Sequence, residues 1–440
     1  MKKKFKLAIV LALGMSLLSA CGSSNENPVP EATEAAGTTE AKTITLRWMH
    51  HIQEESGKAW IEKSTEEFTK LYPNVEFELT AMNADNYNTM LKTKLAAGDA
   101  PDIFDIDLNS NPQFVENGYM AELTGPFLDN LLVVDKSKEG KTYALRTELT
   151  LYSIYYNKDA FAKAGIESPP TTWAEFMEAC EKLKAAGIIP VASGYKDSWT
   201  LNNMIHVAKA PSIGAYHESW TQDLKSRKTS FVDDQVGFKD LLNQITYIYD
   251  NSQSDPLGTT WDKAQDLLVS GEAAMIINGS WLPGNIRTKD ADANLGTFPY
   301  PWSDDASKNR FIIAGEAKNS ENASYGGGYG AYAKSPNKDM AVKFIEYLGS
   351  VENGKIMQDN RKTLSNAKNL PMDFEPTFDS FAQAQSANEV LSYGAFQMDF
   401  GGEYDKVFYD EIINYMLSKS RNADETLKNL DAAFDRVAKK

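Results

Sequence analysis

Four histidines, two cysteines and 61 carboxylates are the side chains from which this 440-residue chain would have to build covalent or metal chemistry. His50 and His51 follow a strand-like segment, where an α/β sheet places its ligand loops, but neighbours on an extended backbone point to opposite sides. They suit polar contacts to a ligand better than joint metal ligation; the other two are His206 and His217. Asp99, Asp102, Asp105 and Asp107 lack EF-hand spacing and read as a hydrogen-bonding loop rather than a calcium site. The chain has no His-Glu-x-x-His, Gly-x-Ser-x-Gly or Walker A sequence and no zinc-spaced Cys/His set. Gly326-Gly327-Gly328-Tyr329-Gly330 matches neither phosphate-loop pattern and reads as backbone that must bend or approach something closely. A carboxylate pair for glycoside hydrolysis stays open, because spacing along the chain does not show which acids meet.

Aromatic rings are better supplied. Trp48, Trp199, Trp220, Trp281 and Trp302 fall near expected element ends, beside Tyr195, Tyr300, Tyr325 and Tyr329. Flat rings next to Asp, Asn and Gln suit a sugar, whose C–H face stacks while its hydroxyls take directed hydrogen bonds. For any one of these tryptophans, core packing is the alternative.

The elements that must carry these residues alternate. Thr43–Trp48 reads as a strand, Lys58–Tyr72 as a helix stopped by Pro73, Val75–Leu79 as a strand, Asn86–Ala97 as a helix and Ile103–Ile106 as a buried strand. The same grammar returns from Leu149 onward. Thr172-Trp173-Ala174-Glu175 has capping-box spacing, Ala273–Asn278 reads as a buried strand, and Ser335-Pro336 as an N-cap with proline at the first helical position. The last hundred residues read as mainly helical. A β-α-β-α-β series predicts α/β lobes with largely parallel sheets. Cys180 falls on an apolar helical position and reads as a small buried hydrophobe.

The N-terminus is an address. Lys2, Lys3, Lys4 and Lys6 surround and precede an apolar run, Phe5–Leu18, too short to span a bilayer comfortably. Leu18-Ser19-Ala20-Cys21 resembles the bacterial lipobox, which implies cleavage after residue 20 and lipidation of Cys21. Residues 22 to 41 (GSSNENPVPEATEAAGTTEA) lack aromatics and read as a tether reaching about 25 Å. A chain anchored in this way works at an outer membrane face.

With 42% hydrophobic and 11% aromatic residues, the remainder is a packed globule of about two to three domains. The formal charge of −16 becomes 41 − 61 = −20 once the four leader lysines are removed. With a pI near 4.9, this excludes a nucleic-acid partner. Two cysteines exclude a disulfide framework.

Four motifs then occur in order. The first is Gly98-Asp99-Ala100-Pro101-Asp102-Ile103-Phe104. Next comes Tyr156-Asn157-Lys158-Asp159 with Pro170-Thr171-Thr172-Trp173. The third is Gly271-Glu272-Ala273-Ala274-Met275 with Asn278-Gly279-Ser280-Trp281, and the last is Ser335-Pro336-Asn337-Lys338. Together they resemble the extracellular solute-binding protein family 1. The resemblance implies a periplasmic-binding-protein-like α/β fold of two lobes with hinge crossings and a ligand cleft. Residues 43–149 and 299–330 would form the N-lobe, and 150–298 and 331–440 the C-lobe, with crossings near Thr150, near Pro299 and at Ala331–Ser335. It further implies a monomer without cofactor or metal that performs no covalent chemistry. Such a protein captures a sugar or oligosaccharide and delivers it to the permease subunits of an ABC importer, with Cys21 as membrane anchor. The residues carried over as ligand contacts are His50, His51, Gln53, Asp105, Asp107 and Asn109 from one lobe. Tyr152, Tyr195, Asp197, Trp199 and Trp281 come from the other, Gly327 and Gly328 line the back, and Phe396 or Phe400 supplies a further ring. Outside this reading stand a binder of peptide, polyamine or ferric ion, an exported glycoside hydrolase, and an adhesin.

Overall fold

The structure, a computed structural model, describes residues 42–217, 219–315, 326–394 and 400–439. The leader, Cys21, the tether to residue 41, Tyr325 and Phe396 lie outside the described residues. From Thr43 to the C-terminus the chain forms one compact unit. Among the described residues, no helix is long and apolar enough to cross a membrane.

The first sheet is built from β1 (Ile44–His50), β2 (Val75–Ala81), β3 (Ile103–Asp107) and β9 (Gly327–Ala331), in the order β2-β1-β3-β9. Helices α1 (Glu55–Leu71) and α2 (Ala84–Ala96) connect its parallel strands, and the short α3 (Gln113–Glu116) follows β3. β1 runs parallel to β2 and β3, and β9 closes the sheet antiparallel to β3. The alternation read in the sequence buries Leu46 and Trp48 on one face, against Trp60, Ile61 and Phe68 of α1. Met49, Phe104 and Ile106 turn to the other face, against Tyr87, Leu91 and Leu95 of α2.

The second sheet contains β4 (Leu151–Asn157), β5 (Ile189–Val191), β6 (Ala273–Asn278), β7 (Leu295–Phe298), β8 (Ile312–Gly315) and β10 (Leu391–Gly394). β5 is parallel to β6 and β10 to β8, while β4 pairs antiparallel with β6, β7 and β8. Its helices are α4 (Lys158–Lys163), α5 (Trp173–Ala185), α6 (Ser198–Lys209), α7 (Trp220–Lys225), α8 (Phe238–Asp250), α9 (Trp261–Val269) and α10 (Leu282–Lys289). After β9 come α11 (Lys338–Leu348), α12 (Val351–Arg361), α13 (Asp379–Ser386), α14 (Glu403–Leu417) and α15 (Ala423–Ala438).

Side-chain caps fix where several helices start, because the first turn has backbone N–H groups without intrahelical partners. Thr172 accepts from Glu175 N at 3.2 Å, while the Glu175 carboxylate accepts from Thr171 N at 2.7 Å. Asn157 accepts from Ala160 N at 2.9 Å to start α4 and donates to the Leu268 carbonyl at the end of α9. Two expected features shift. Asp107 closes β3, one residue past the expected strand end, rather than lying in a loop. The Ser335-Pro336 pair forms a turn two residues before α11, in which Ser335 Oγ accepts from Asn337 N at 2.8 Å and also bonds Asp102.

The division of the chain between the sheets also differs from the expected one. Tyr300 packs in the second core and β8 pairs with β4, so 299–315 belongs with the second sheet rather than the first. Ala341, Phe344, Ile345 and Met357 pack against Trp48 and Trp60, so α11 and α12 belong with the first rather than the second. These helices were misplaced because helical periodicity says which face is buried but not against which sheet. The chain crosses between sheets at 144–151, where Leu145 bridges to Tyr329 and the segment runs into β4. It crosses again at 363–367, antiparallel to the first crossing through Glu148↔Ser365 and the bond from Leu149 N to Leu364 O at 2.8 Å. Asn366 staples the pair: its Nδ2 donates to the Val133 and Arg146 carbonyls and its Oδ1 accepts from Val133 N, each at 2.8 Å.

Candidate functional site

The C-terminal ends of the parallel strands carry the polar and aromatic groups, which is where open α/β sheets place ligands. On the first lobe, β1 ends at His50 and β3 at Asp107. The adjacent histidines separate as an extended chain requires. His50 is buried, and its pKa is pushed down to about 4 by burial and by the neighbouring His51. His51 is 46% exposed, with Nδ1 2.5 Å from Asp105 Oδ2. Burial pulls the His51 imidazole down, but the charge and hydrogen bond of Asp105 outweigh it and hold the pKa above the usual histidine value. Tyr87, from α2, positions this pair. Its hydroxyl donates to the Met49 carbonyl at 3.0 Å, accepts from Asp105 N at 2.9 Å, and its ring meets His51 edge-on at 5.9 Å.

Gln53 is exposed on the loop before α1. Asp107 accepts from Asn109 N at 2.9 Å, and its carboxyl is pushed up by burial, with Asp405 of the other lobe adding to the effect. Asn109 lies against Gly401, where the lobes approach. Gly327 and Gly328 pair with Asp107 and Ile106 across β9 and β3. Gly328 needs to be glycine: φ is +122°, and a Cβ would lie 2.1 Å from the Leu145 carbonyl oxygen.

On the second lobe, the aromatic supply sorts itself. Trp199 and Trp281 stay half-buried with ring centroids 6.3 Å apart, and Trp261 backs Trp199 at 5.3 Å. Trp281 stands just before α10, over Gly279, where a Cβ would meet the indole at 2.3 Å. The Asn-Gly-Ser that precedes it is anchored: Asn278 accepts from Asn203 Nδ2 at 3.0 Å, and Ser280 Oγ donates to the Leu149 carbonyl at 2.9 Å.

Several expected contacts turn out to be supports. Trp48 and Trp220 are 0% and 5% exposed and pack with Trp60, Tyr329 and Phe344, and with Phe231, Phe238 and Phe400. Tyr300, Tyr329 and Phe400 are core residues as well. Trp302 packs on Tyr216 and donates to the Lys308 carbonyl, apart from the other tryptophans. Tyr195 is buried, and Asp197 Oδ2 accepts from Trp261 N at 2.7 Å, which fixes the start of α9. Tyr152 packs on His206 with ring centroids 4.7 Å apart and planes tilted by 49°, and the His206 pKa is pushed down to about 3 by burial and by Lys209. The strand ends are rich in rings because rings also fill cores, and a one-dimensional pattern does not separate the two uses.

Sequence reasoning passed over Tyr87, Asn203, Glu148 and Arg361. Arg361 closes α12 and lies 3.1 Å from Glu148 on the first crossing, with its guanidinium 6.0 Å from the Trp60 ring centre. It stands at the helix end, before Lys362 in the left-handed region at φ +51°. Among the described residues, no cluster of His, Cys, Asp and Glu could hold a metal ion. Half-exposed rings on one lobe and directed donors and acceptors on the other are the two kinds of group that a neutral polar ring would use.

Comparison with known proteins agrees with this architecture. A multiple sugar-binding protein of Streptococcus mutans is 27% identical over 312 residues, covering 68% of this chain and 70% of that protein. Among solved structures, a chitin oligosaccharide binding protein has a TM-score of 0.73 at 22% identity, covering 90% of this chain and all of that one. A solute-binding protein in complex with raffinose has a TM-score of 0.71 at 21% identity with the same coverage, so both share the two-lobed fold. The profile of bacterial extracellular solute-binding proteins matches residues 52–355, and the chain belongs to that family.

Proposed function

We propose that this protein captures a sugar or oligosaccharide between its lobes and hands it to the permease of an ABC importer at the outer face of the membrane. What supports the reading is the presence of two sets of groups of different chemistry, one on each lobe. Trp199 and Trp281 offer half-exposed ring faces, and His51, Gln53, Asp105 and Asn109 offer directed donors and acceptors. A pyranose needs both, since its C–H face stacks while its hydroxyls want partners. Asp107, Tyr152, Asp197, Tyr195, Gly327 and Gly328 hold these groups in place. The relatives named for sugar, raffinose and chitin oligosaccharide binding support the same ligand class. Capture and release need hinge bending and no covalent step, and ligand contacts to both lobes favour the closed form.

A thermal-shift screen against raffinose, chitin oligosaccharides and monosaccharides, with peptides and polyamines as controls, tests the ligand class. A sugar at 100 times its Kd that binds only the folded state adds about 2.7 kcal/mol of stability. A shift with a control and none with any sugar would overturn it. The lipid anchor at Cys21 belongs to the same proposal. Cys21→Ser should release the protein from the membrane fraction, and continued membrane association would remove the anchor.

A further inference from the structure

The lobes also meet behind the candidate site, at a junction of small residues. α1 and α12 pack in the first core and α10 in the second. A Cβ on Gly284, in the first turn of α10, would lie 1.9 Å from the Arg361 carbonyl oxygen and 3.2 Å from Ser56 Oγ. The α10 backbone therefore rests on the last peptide of α12, which no side chain at position 284 would permit. Beside this contact, Ser56 Oγ donates to Asn285 Oδ1 at 2.7 Å, and both residues are buried. Backbone contact with one directed hydrogen bond fixes the distance between lobes without interlocking side chains. Such a surface lets one body turn on another.

Arg361 also reaches toward the ligand wall. It is 8% exposed, its guanidinium holds Glu148 of the first crossing at 3.1 Å, and its Nε passes over Gly57 of α1, 3.7 Å from where a Cβ would be. Its charge is felt at His50 and His51, and it feels Glu148, Tyr329, Glu54 and Asp105 in return. One residue thus has its carbonyl in the lobe junction and its guanidinium beside Glu148 and over Gly57, where a Cβ would meet Ile52, the residue after His51.

We propose that Arg361 is a positioning residue that couples lobe movement to the ligand wall, its carbonyl being the bearing on which Gly284 turns and its guanidinium setting the Glu148, His51 and Asp105 side of the cleft. The proposal rests on the solute-binding reading above for its purpose, but its geometry is testable without ligand.

The test uses the full chain with Cys21→Ser, spin-labelled through Glu78→Cys and Lys228→Cys, both exposed and one on each lobe. Cys180 is buried, with its thiol pushed up to about 12, and stays unlabelled. Gly284→Ala must push α10 and Arg361 apart by about 1.5 Å to turn a 1.9 Å approach into van der Waals contact, which displaces Arg361 as well as α10. The expected results are a changed inter-label distance without ligand and a raised His51 titration by NMR, because the displaced guanidinium no longer opposes protonation of that ring. The groups facing His51 are His50, Glu54, Tyr87, Asp105 and Arg361, so Arg361→Gln should raise the same titration and serves as the reference. Raffinose affinity should fall by about tenfold or more in Gly284→Ala if the sugar reading holds. If Gly284→Ala fails to fold, Ser56→Ala keeps the backbone contact and should broaden the distance distribution. An unmoved distance distribution in the variants that fold, or a His51 titration that Arg361→Gln leaves unchanged, would overturn the proposal. Absence of raffinose binding in the parent protein would count against that sugar alone.

Discussion

His51 Nδ1 and Asp105 Oδ2 lie 2.5 Å apart at the ends of adjacent parallel strands, with the Tyr87 hydroxyl fixing the Asp105 backbone from below. The pair raises the folded-state pKa of His51, so it adds stability below the unfolded histidine value and loses it as pH rises through the folded one. His50 and His206 act oppositely, with pKa values near 4 and 3. Between those values and the usual histidine range the unfolded chain binds protons that the folded chain refuses, so stability falls as pH drops through that window. NMR titration should show His51 above and the other two below the free value. Asp105→Asn should lower the His51 and His50 titrations and leave His206 unmoved.

Trp281 carries the stacking wall. Trp281→Ala should weaken sugar binding by on the order of 1 to 3 kcal/mol, from lost stacking and burial, with the melting temperature of the free protein little changed. Calorimetric titration checks this, and an unchanged affinity would remove Trp281 from the site.

Gly328 sits where the first crossing touches the first sheet. Gly328→Ala adds a Cβ that would lie 2.1 Å from the Leu145 carbonyl at φ +122°. It should cost on the order of 1 to 3 kcal/mol in backbone strain alone, read as a lower urea midpoint at unchanged m-value.

Asn366 holds the two crossings together with three bonds of 2.8 Å from a fully buried amide. Asn366→Ala removes the bonds to the Val133 N–H, the Val133 carbonyl and the Arg146 carbonyl and should destabilise by about 1 to 3 kcal/mol. Hydrogen exchange should show the loss concentrated at 131–133 and 146–149. Uniform exchange across the chain would contradict the staple.

Much of this was legible in the residues because local rules and the fold agree. Asn157 and Thr172 cap helices where their spacing predicts, and the alternation of Ile44, Leu46 and Trp48 does mark a strand with a buried face. The Asp102 and Ser335 motifs, more than 200 residues apart, turn out to bond one another, which gives their joint occurrence a physical reason. What pattern alone did not reveal was partnership. Phe344 reads as an apolar helical position whichever sheet it faces, and only the three-dimensional packing puts it on Trp48. Trp48 and Trp281 carry the same ring, one buried in a core and one standing over Gly279. Arg361 escaped notice because its function comes from two neighbours, Glu148 and Gly284, that lie 213 and 77 positions earlier in the chain.

One saturable site should take a sugar against Trp199, Trp281 and the His51–Asp105 pair. Isothermal titration of the Cys21→Ser chain with raffinose and chitin oligosaccharides, alongside Trp281→Ala and Asp105→Asn, tests it most directly. One-to-one binding of an oligosaccharide with a negative heat-capacity change is expected, weakened by both substitutions, since each removes one set of contacts. Saturable binding of a peptide or polyamine with no heat from any sugar, or sugar binding that neither substitution alters, would contradict it.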